Sequence, residues 1–480
     1  MAQEHFDICI IGSGSGNSII DERFDDKTIA LVDHGVGEDL WFGGTCLNAG
    51  CIPTKMMVVP ASMAAGVEHA ARLGVNLHLD GVDFAAIQQR VFGRTNGIAQ
   101  AGLAWRESNE NVTVLREAAA FVDEHTLQVG RRTITADQFV IAAGSRTRML
   151  DAPGLDDPDL AGMIHTSETI LRIKQVPGRL VIVGGGVEAL EFGHIFASFG
   201  SRVTLVNRSD RLLRKIDEEV AGRATELAAQ RFSVRLNQRL SSVEPAGRGG
   251  LLLRFTDPSG TEYRYNADAL LLVPGRVPNG DQLNVTAAGV DVDAGGFVVT
   301  DEYQRTSRPH IWALGDVCDP HMLKHVANAE ARTVQHNLLH PDEPVTRPTV
   351  PVPQAVFSQP PITAVGATEQ ALREAGTDYV KVIQPYGTVA YGWALDDETS
   401  FVKLLVDPAT RMLLGAGVIG PEAPELGQLL VTAMSFGIDV GTMARGQYWA
   451  HPGLAEVVEN ALLSAVAECD RRAGQGAAHE

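Results

Sequence analysis

Twice along the chain a short apolar strand runs into a cluster of glycines and is followed by a second strand. The first copy is Phe6 to Ile11, GSGSGNS, then Thr28 to Val32; the second is Arg179–Val183, GGGVEALEFG, then Arg202–Val206. A strand that ends on glycines lets backbone N–H groups and a helix N-terminus close around a pyrophosphate. Each copy therefore reads as a strand–glycine turn–helix–strand unit of a dinucleotide fold. Further buried strands are expected at Phe139–Gly144, Ala269–Pro274 and His310–Leu314. After roughly residue 345 the composition changes: prolines cluster in HPDEPVTRPTVPVPQ, as in a linker. Strands (Tyr379–Ile383, Phe401–Val406) and helical stretches (near Pro424–Phe436 and Leu454–Glu468) follow. The expected class is α/β, with two Rossmann-like dinucleotide-binding domains and a C-terminal α+β domain; 480 residues suffice for all three.

The two glycine loops differ in what they select. Gly12, Gly14 and Gly16 directly follow the first strand, and Asp33, at the end of the next, can accept hydrogen bonds from a ribose. Asn17 stands in the third glycine position, where a small residue normally permits close helix–strand packing. In the second unit Gly184, Gly186 and Ala189 fill the three positions, and Asn207 stands where an NAD site places an acid. Arg208 follows, with Arg211 and Arg214 soon after. A carboxylate would repel a 2′-phosphate, whereas arginines pair with it, so NADPH is expected, held by Arg208 and Arg214. Arg211 reads more simply as decoration of a solvated helix.

Five cysteines are too few for a secreted disulfide scaffold, yet Cys46 and Cys51 lie close together in FGGTCLNAGCIPTKMM. On a regular helix that separation gives about 7.5 Å of rise, too long for a disulfide, so pairing requires a distorted helix across Asn48–Ala49–Gly50. Tetrahedral zinc would need two more ligands that no nearby residue supplies. A redox-active pair fits best; two unpaired buried thiols are the alternative. Cys9 reads as a small core residue, and Cys318 and Cys469 have no evident partner.

GGTCLNAGCIPTK closely resembles the active-site signature of the pyridine nucleotide–disulfide oxidoreductases. IWALGDV (311–317) resembles their second FAD motif, VPGRVPN (273–279) the strand returning from the NADPH domain, and HPGLAEVVENA (451–461) the C-terminal signature with a His–Glu pair. The resemblance covers nearly the whole chain. It implies an FAD domain at 1–150 and 275–345, an NADPH domain at 151–274 and a dimerisation domain at 346–480. It implies cofactor contacts at Gly44, Thr45, Gly144 and Gly275, Asp316 at the flavin's ribityl chain, and Lys55 and Glu191 paired beside the flavin. Hydride from NADPH would reduce FAD, which would open the disulfide. Cys51 would be the flavin-proximal sulfur and Cys46 the interchange thiol. His451, oriented by Glu456, would serve as acid and base, an imidazole being suited to proton transfer near neutral pH. Gly453 departs from the threonine usual after His–Pro, which predicts a slightly looser helix start.

Relatives place that His–Glu pair at the partner subunit's disulfide, so a two-fold homodimer with shared sites is expected. GSGSGNSI, FGGTCLN–GCIPTKM and LKHVANAEARTV (323–334) are similar to the branch of the family that reduces mycothione, the disulfide of a pseudo-disaccharide thiol. The stretch GVGEDLWFGG is longer than usual and falls near the adenine end of FAD. A lipoamide dehydrogenase would carry an acid at Asn207, and a glutathione reductase would lack the asparagine variant at residue 17. A flavin-binding protein without catalysis would not need Cys46, Cys51, His451 and Glu456 intact. The balance of 40 basic and 59 acidic residues, a formal charge of −19, argues against nucleic acid and anionic lipid. No opening signal peptide and no span of about 18 apolar residues is evident, so a cytoplasmic, metal-free enzyme is expected.

Overall fold

The computed structural model describes residues 4–247 and 249–477. Strand Glu4–Ile11 lies between Ile29–Val32 and Arg132–Ile141, parallel to both, within a seven-stranded sheet. Its last four residues, Ile8 to Ile11, are all buried, as expected of a parallel strand covered on both faces. Ile311–Ala313 joins the same sheet beside Arg132–Ile141, although the second nucleotide unit intervenes in sequence. That second unit is a five-stranded parallel sheet in the order Ser233–Arg235, Arg202–Val206, Arg179–Val183, Ala269–Leu272, Ile164–His165. The chain leaves and re-enters the first unit side by side, because Ser145–Thr147 pairs antiparallel with Arg276–Pro278. A third sheet, antiparallel, is built from Gln354–Val356, Ile362–Gly366, Leu413–Ile419, Phe401–Val406 and Val380–Pro385.

Six helices position the site: α1 (Gly44–Asn48), α2 (Cys51–Arg72), α3 (Phe84–Glu107), α4 (Val187–Ser198), α5 (Glu218–Arg231) and α6 (Lys324–Leu339). No helix among the described residues is long and apolar enough to cross a membrane.

The two glycine units are not alike, and one expectation is corrected. In the second unit a regular helix, α4, follows the glycines. In the first there is no α-helix: the chain makes two 3₁₀ turns, Gly16–Ile19 and Glu22–Phe24, and goes straight to Ile29. Local side-chain bonds compete with helical ones there. Ser18 Oγ donates to Ser15 O at 2.6 Å, and Asp21 caps the second turn by accepting from Arg23 N at 3.0 Å. The turns are braced from outside by Arg106 of α3, whose guanidinium is buried. Its Nε donates to Asn17 Oδ1 at 2.6 Å, and its Nη2 to Asn17 O at 2.6 Å and Ile20 O at 2.9 Å. Asn17 thus occupies its position as an acceptor for Arg106, in place of the small residue that would pack a helix on the strand.

A second buried cation joins the second glycine unit to the third sheet. Lys403, on strand Phe401–Val406, is 1% exposed and lies 2.8 Å from Asp217 Oδ1, 2.6 Å from Glu219 Oε2 and 2.5 Å from Glu369 Oε2. Asp217 also caps α5, accepting from Glu219 N at 3.1 Å.

Candidate active site

The helix carrying the cysteines is broken between them. α1 ends at Asn48 and α2 begins at Cys51, and Ala49 (φ −145°, ψ 2°) and Gly50 (φ −124°, ψ −124°) leave the helical region. This is the distortion that the cysteine spacing requires. The two thiols are hydrogen-bonded to each other. The bond from Cys51, opposed by burial and helped by the charge of Lys324, brings Cys46 down to about 7. Cys51 is pushed up in turn, because its proton is held by Cys46 and burial adds to the effect.

The first glycine loop is docked onto this segment. Ser13 Oγ accepts from Gly43 N at 2.7 Å, and Asp33 Oδ1 accepts from Ser13 N at 3.1 Å. Burial raises the Asp33 carboxyl, against those hydrogen bonds. Gly12 has φ +115°, and a Cβ there would lie 2.2 Å from Ala142 O; a Cβ on Gly44 would come within 2.6 Å of Gly14 Cα. Backbone thus meets backbone from the strand end to the cysteines, and side chains at these positions would fill the cradle. A Cβ on Gly16 would meet Ala142 Cβ at 2.7 Å. Beyond the loop, Gly144 O accepts from Asn279 N at 3.1 Å, Gly275 O from Arg148 N at 2.9 Å and Thr45 O from Ala49 N at 2.9 Å. Asp316 accepts from Ser145 Oγ at 2.6 Å; Arg276 holds Ser145 through Nε to Oγ (2.8 Å) and Nη2 to O (2.7 Å). Arg276 Nη1 lies 3.8 Å from Glu188 Oε1 at the start of α4, so one chain of contacts runs from the second glycine loop to Asp316. Sequence reasoning missed this relay and Arg106, because neither lies in a motif. A glycine-lined cradle with a carboxylate at the next strand end fits the dinucleotide FAD.

Lys55 and Glu191 do not form an ion pair with each other. They meet on the third domain's Phe357: Lys55 Nζ stands 4.4 Å from its ring centroid, and Glu191 Oε1 accepts from its N–H at 2.9 Å. Burial pushes Glu191 up to about 8, although the Phe357 N–H and the charge of Lys55 work the other way.

At the second loop a Cβ on Gly184 would lie 2.3 Å from Val273 O, while Gly186 faces open space at the start of α4. Asn207 packs over Gly185 and donates to Arg211 O at 2.9 Å. Arg208 and Arg214 are exposed, and among the described residues neither has an ion-pair or hydrogen-bond partner for its side chain. Arg211 is bound to Glu218 at 3.3 Å.

His451 is exposed, its Nδ1 lying 2.8 Å from Glu456 Oε1. Hydrogen bonds from His451 and from Gly453 N (3.0 Å) pull Glu456 below its ordinary value. The carboxylate half of a capping box therefore survives at the start of helix Ala455–Ala477, while a Cβ on Gly453 would lie 2.9 Å from Ala450 O. No hydrogen bond or ion pair joins His451 to Cys46 or Cys51 within the described chain. The long loop after Asp33 folds back as a Val36–Trp41 bridge, with Trp41 under Arg172 (5.6 Å). Cys9 and Cys469 are buried, and Cys318 donates to Gly315 O at 3.4 Å.

Residues 6–332 match the pyridine nucleotide-disulphide oxidoreductase family, and residues 352–462 match that family's dimerisation domain. The chain is 45% identical to a mycothione reductase of Mycobacterium tuberculosis, over 96% of this chain and 99% of that protein. It is 32% identical to a dihydrolipoyl dehydrogenase of Haemophilus influenzae (87% and 86% covered) and 30% identical to a mercuric reductase of Staphylococcus aureus (91% and 78%). Among solved structures it resembles the HOCl-induced flavoprotein disulfide reductase RclA from Escherichia coli in its Cu(II) complex, with TM-score 0.82 and 26% identity over 96% of this chain and 99% of that one. The glycine cradles, the paired thiols and these full-length similarities agree: the chain belongs to the pyridine nucleotide–disulphide oxidoreductase family and is an FAD-containing, NADPH-dependent disulfide reductase.

Proposed function

We propose that the protein reduces mycothione, using Cys46 as the sulfur that attacks the substrate. The observation that carries the chemistry is the thiol pair at the helix break, with Cys46 drawn to about 7 and its proton-holding neighbour Cys51 pushed up. The substrate assignment rests on the full-length similarity to a mycothione reductase. Bound FAD would supply the route by which the two electrons of NADPH reach the Cys46–Cys51 disulfide. The Cys46 thiolate then attacks one sulfur of the substrate disulfide, forming a mixed disulfide and releasing one thiol. Cys51, once deprotonated, attacks Cys46, releases the second thiol and restores the protein disulfide. The first departing thiolate takes a proton from the His451 imidazolium, which Glu456 holds through Nδ1; the imidazole then takes the Cys51 proton and passes it to the second.

We assign the histidine to a second copy of the chain. His451 is 70% exposed and unattached to its own cysteines, and the dimerisation region also exposes Tyr448, Phe436 and Trp393, apolar surface suited to a partner. At the second loop, Arg208 and Arg214 are unpaired and ready for a 2′-phosphate, and Asn207 offers no charge to repel it.

Steady-state turnover with NADPH and NADH against mycothione, oxidised glutathione and lipoamide tests the assignment. The expected result is highest kcat/KM for mycothione with NADPH; preference for lipoamide with NADH contradicts it. Cys46→Ser should keep flavin and its reduction by NADPH yet lose disulfide turnover. Mixing inactive Cys46→Ser and His451→Ala subunits should restore activity in the hybrid dimer; no recovery would contradict the shared site. Turnover should rise as pH is raised through about 7, following the Cys46 thiolate.

A further inference from the structure

The stretch between Asp33 and the cysteine segment is a small hairpin of its own, and the chemistry above does not use it. Val36 N donates to Trp41 O at 3.0 Å and Trp41 N to Val36 O at 2.9 Å, closing a turn in which Leu40 takes a left-handed φ of +50°. Its base is fastened to Asp33, whose Oδ2 accepts from Gly35 N at 3.1 Å and whose Oδ1 accepts from Ser13 N of the glycine loop at 3.1 Å. Its tip is fastened to a neighbouring strand end: Arg116, directly after strand Val112–Leu115, donates from Nη2 to Leu40 O at 2.5 Å.

A dinucleotide lies across the C-terminal ends of parallel strands, with its pyrophosphate at the glycine loop and its ribose at the end of the second strand. The sheet order sets Ile29–Val32 beside Glu4–Ile11 and Val112–Leu115 beside Ile29–Val32. The adenine beyond the ribose therefore belongs outside the ends of Ile29–Val32 and Val112–Leu115. The hairpin runs from Asp33 to Arg116 and spans the same two strand ends.

The second unit also holds the hairpin. Arg172 closes the turn Ile170–Arg172, which follows Ile164–His165 of the second sheet. Its guanidinium carbon stands 3.9 Å from the ring centroid of Phe92 on α3 and 5.6 Å from that of Trp41, and its Nη2 donates to Asn96 Oδ1 at 3.0 Å. Asp39 steadies the indole, accepting from Trp41 Nε1 at 3.3 Å. One cation of the second unit is thus gripped by α3 and by the hairpin of the first.

We propose that residues 36–41 are a retaining strap over the adenosine half of FAD, latched from the second unit by Arg172. FAD leaves only when the strap lifts, and lifting it draws Trp41 off the guanidinium. Trp41 and Arg172 are positioning residues, acting on the cofactor through the hairpin backbone. This rests on the reading of the first glycine unit as the FAD site.

The test times the loss of FAD from the holoenzyme by ultrafiltration, at the temperature where the wild type first loses flavin measurably. KM for NADPH is measured on the same preparations. Trp41→Ala should release FAD about fivefold faster than wild type, the worth of a partly desolvated cation–π contact. Arg172→Met should do at least the same, since it also loses Phe92 and Asn96. The double variant should be no faster than Arg172→Met alone, because one contact is broken in both. Trp41→Phe keeps an aromatic face and should recover most of the retention. KM for NADPH should stay at the wild-type value throughout. Unchanged FAD release in either Trp41→Ala or Arg172→Met, with KM unchanged, overturns the proposal. A double variant as fast as the product of the two single effects overturns the latch. Faster release with an equal-fold rise in KM marks a general loosening between the units and also overturns it. A rise in KM with unchanged FAD release overturns instead the assignment of the first unit to FAD.

Discussion

The two nucleotide units begin with the same kind of strand and glycine turn, and they are held in shape by opposite means. The second is locally self-sufficient: α4 follows its glycines, Ala189 and Leu190 bury themselves against the sheet, and the loop keeps its form through its own neighbours. Its buried cation, Lys403, lies at a distance and joins the unit to the third sheet. The first unit has lost its helix, and its buried cation, Arg106, braces the loop itself. A phosphate-binding loop thus needs fixed backbone N–H groups, whether a helix or a guanidinium from another helix fixes them.

The largest effect is expected from Lys403→Met, which leaves Asp217 without its cation and Glu219 and Glu369 with Lys381 alone. Removing one partner of such a buried cluster costs about 3–5 kcal/mol. A denaturant midpoint that hardly moves would mean that the cluster adds little. The same network predicts an acid limb. Burial opposes the ionised form of Glu369, but hydrogen bonds from Lys403 and Tyr379 outweigh it and bring the carboxyl from 4.5 down to about 2. Because the folded value is depressed, this stabilisation is present above pH 4.5 and is lost as pH falls toward about 2. The wild type should lose more stability across that window than Lys403→Met.

Arg106→Met comes next. It leaves the carbonyls of Asn17 and Ile20 without their donor, at about 3 kcal/mol in total. The loss should fall on the first unit alone: flavin per subunit drops while NADPH binding persists. Equal loss of both ligands would break the distinction between the two units.

Arg208→Ala should raise KM for NADPH by about tenfold or more, the worth of one charge-assisted bond to a phosphate, and leave NADH nearly untouched. A parallel rise for both nucleotides would contradict the 2′-phosphate role. The smallest effect is expected from Asn17→Gly, which removes only the Oδ1 acceptor of Arg106, at about 1 kcal/mol in thermal unfolding. A gain in stability would show that the loop prefers the usual glycine.

The sequence was readable where structure depends on near neighbours. Strands Arg179–Val183, Arg202–Val206 and Phe401–Val406 have the bounds that their apolar runs indicate. The break between Cys46 and Cys51 followed from helix rise, and the His451–Glu456 contact from the resemblance of HPGLAEVVENA to the family's C-terminal signature. The helix expected after Gly16 failed because Arg106, distant in sequence, stabilises the carbonyls that the helix would have used. Lys55 and Glu191, expected as a pair, each meet Phe357 of the third domain, a contact that no local spacing indicates.

By itself the sequence determined the two glycine-ended strands and the paired cysteines, since each depends on residue types at short separation. Only the tertiary structure decided what braces the first loop, what sets Lys324 on Ser15 and what joins Asp316 to Glu188 through Ser145 and Arg276. Those contacts depend on directed hydrogen bonds and charges between residues far apart in the chain, and strand or helix periodicity leaves no trace of them.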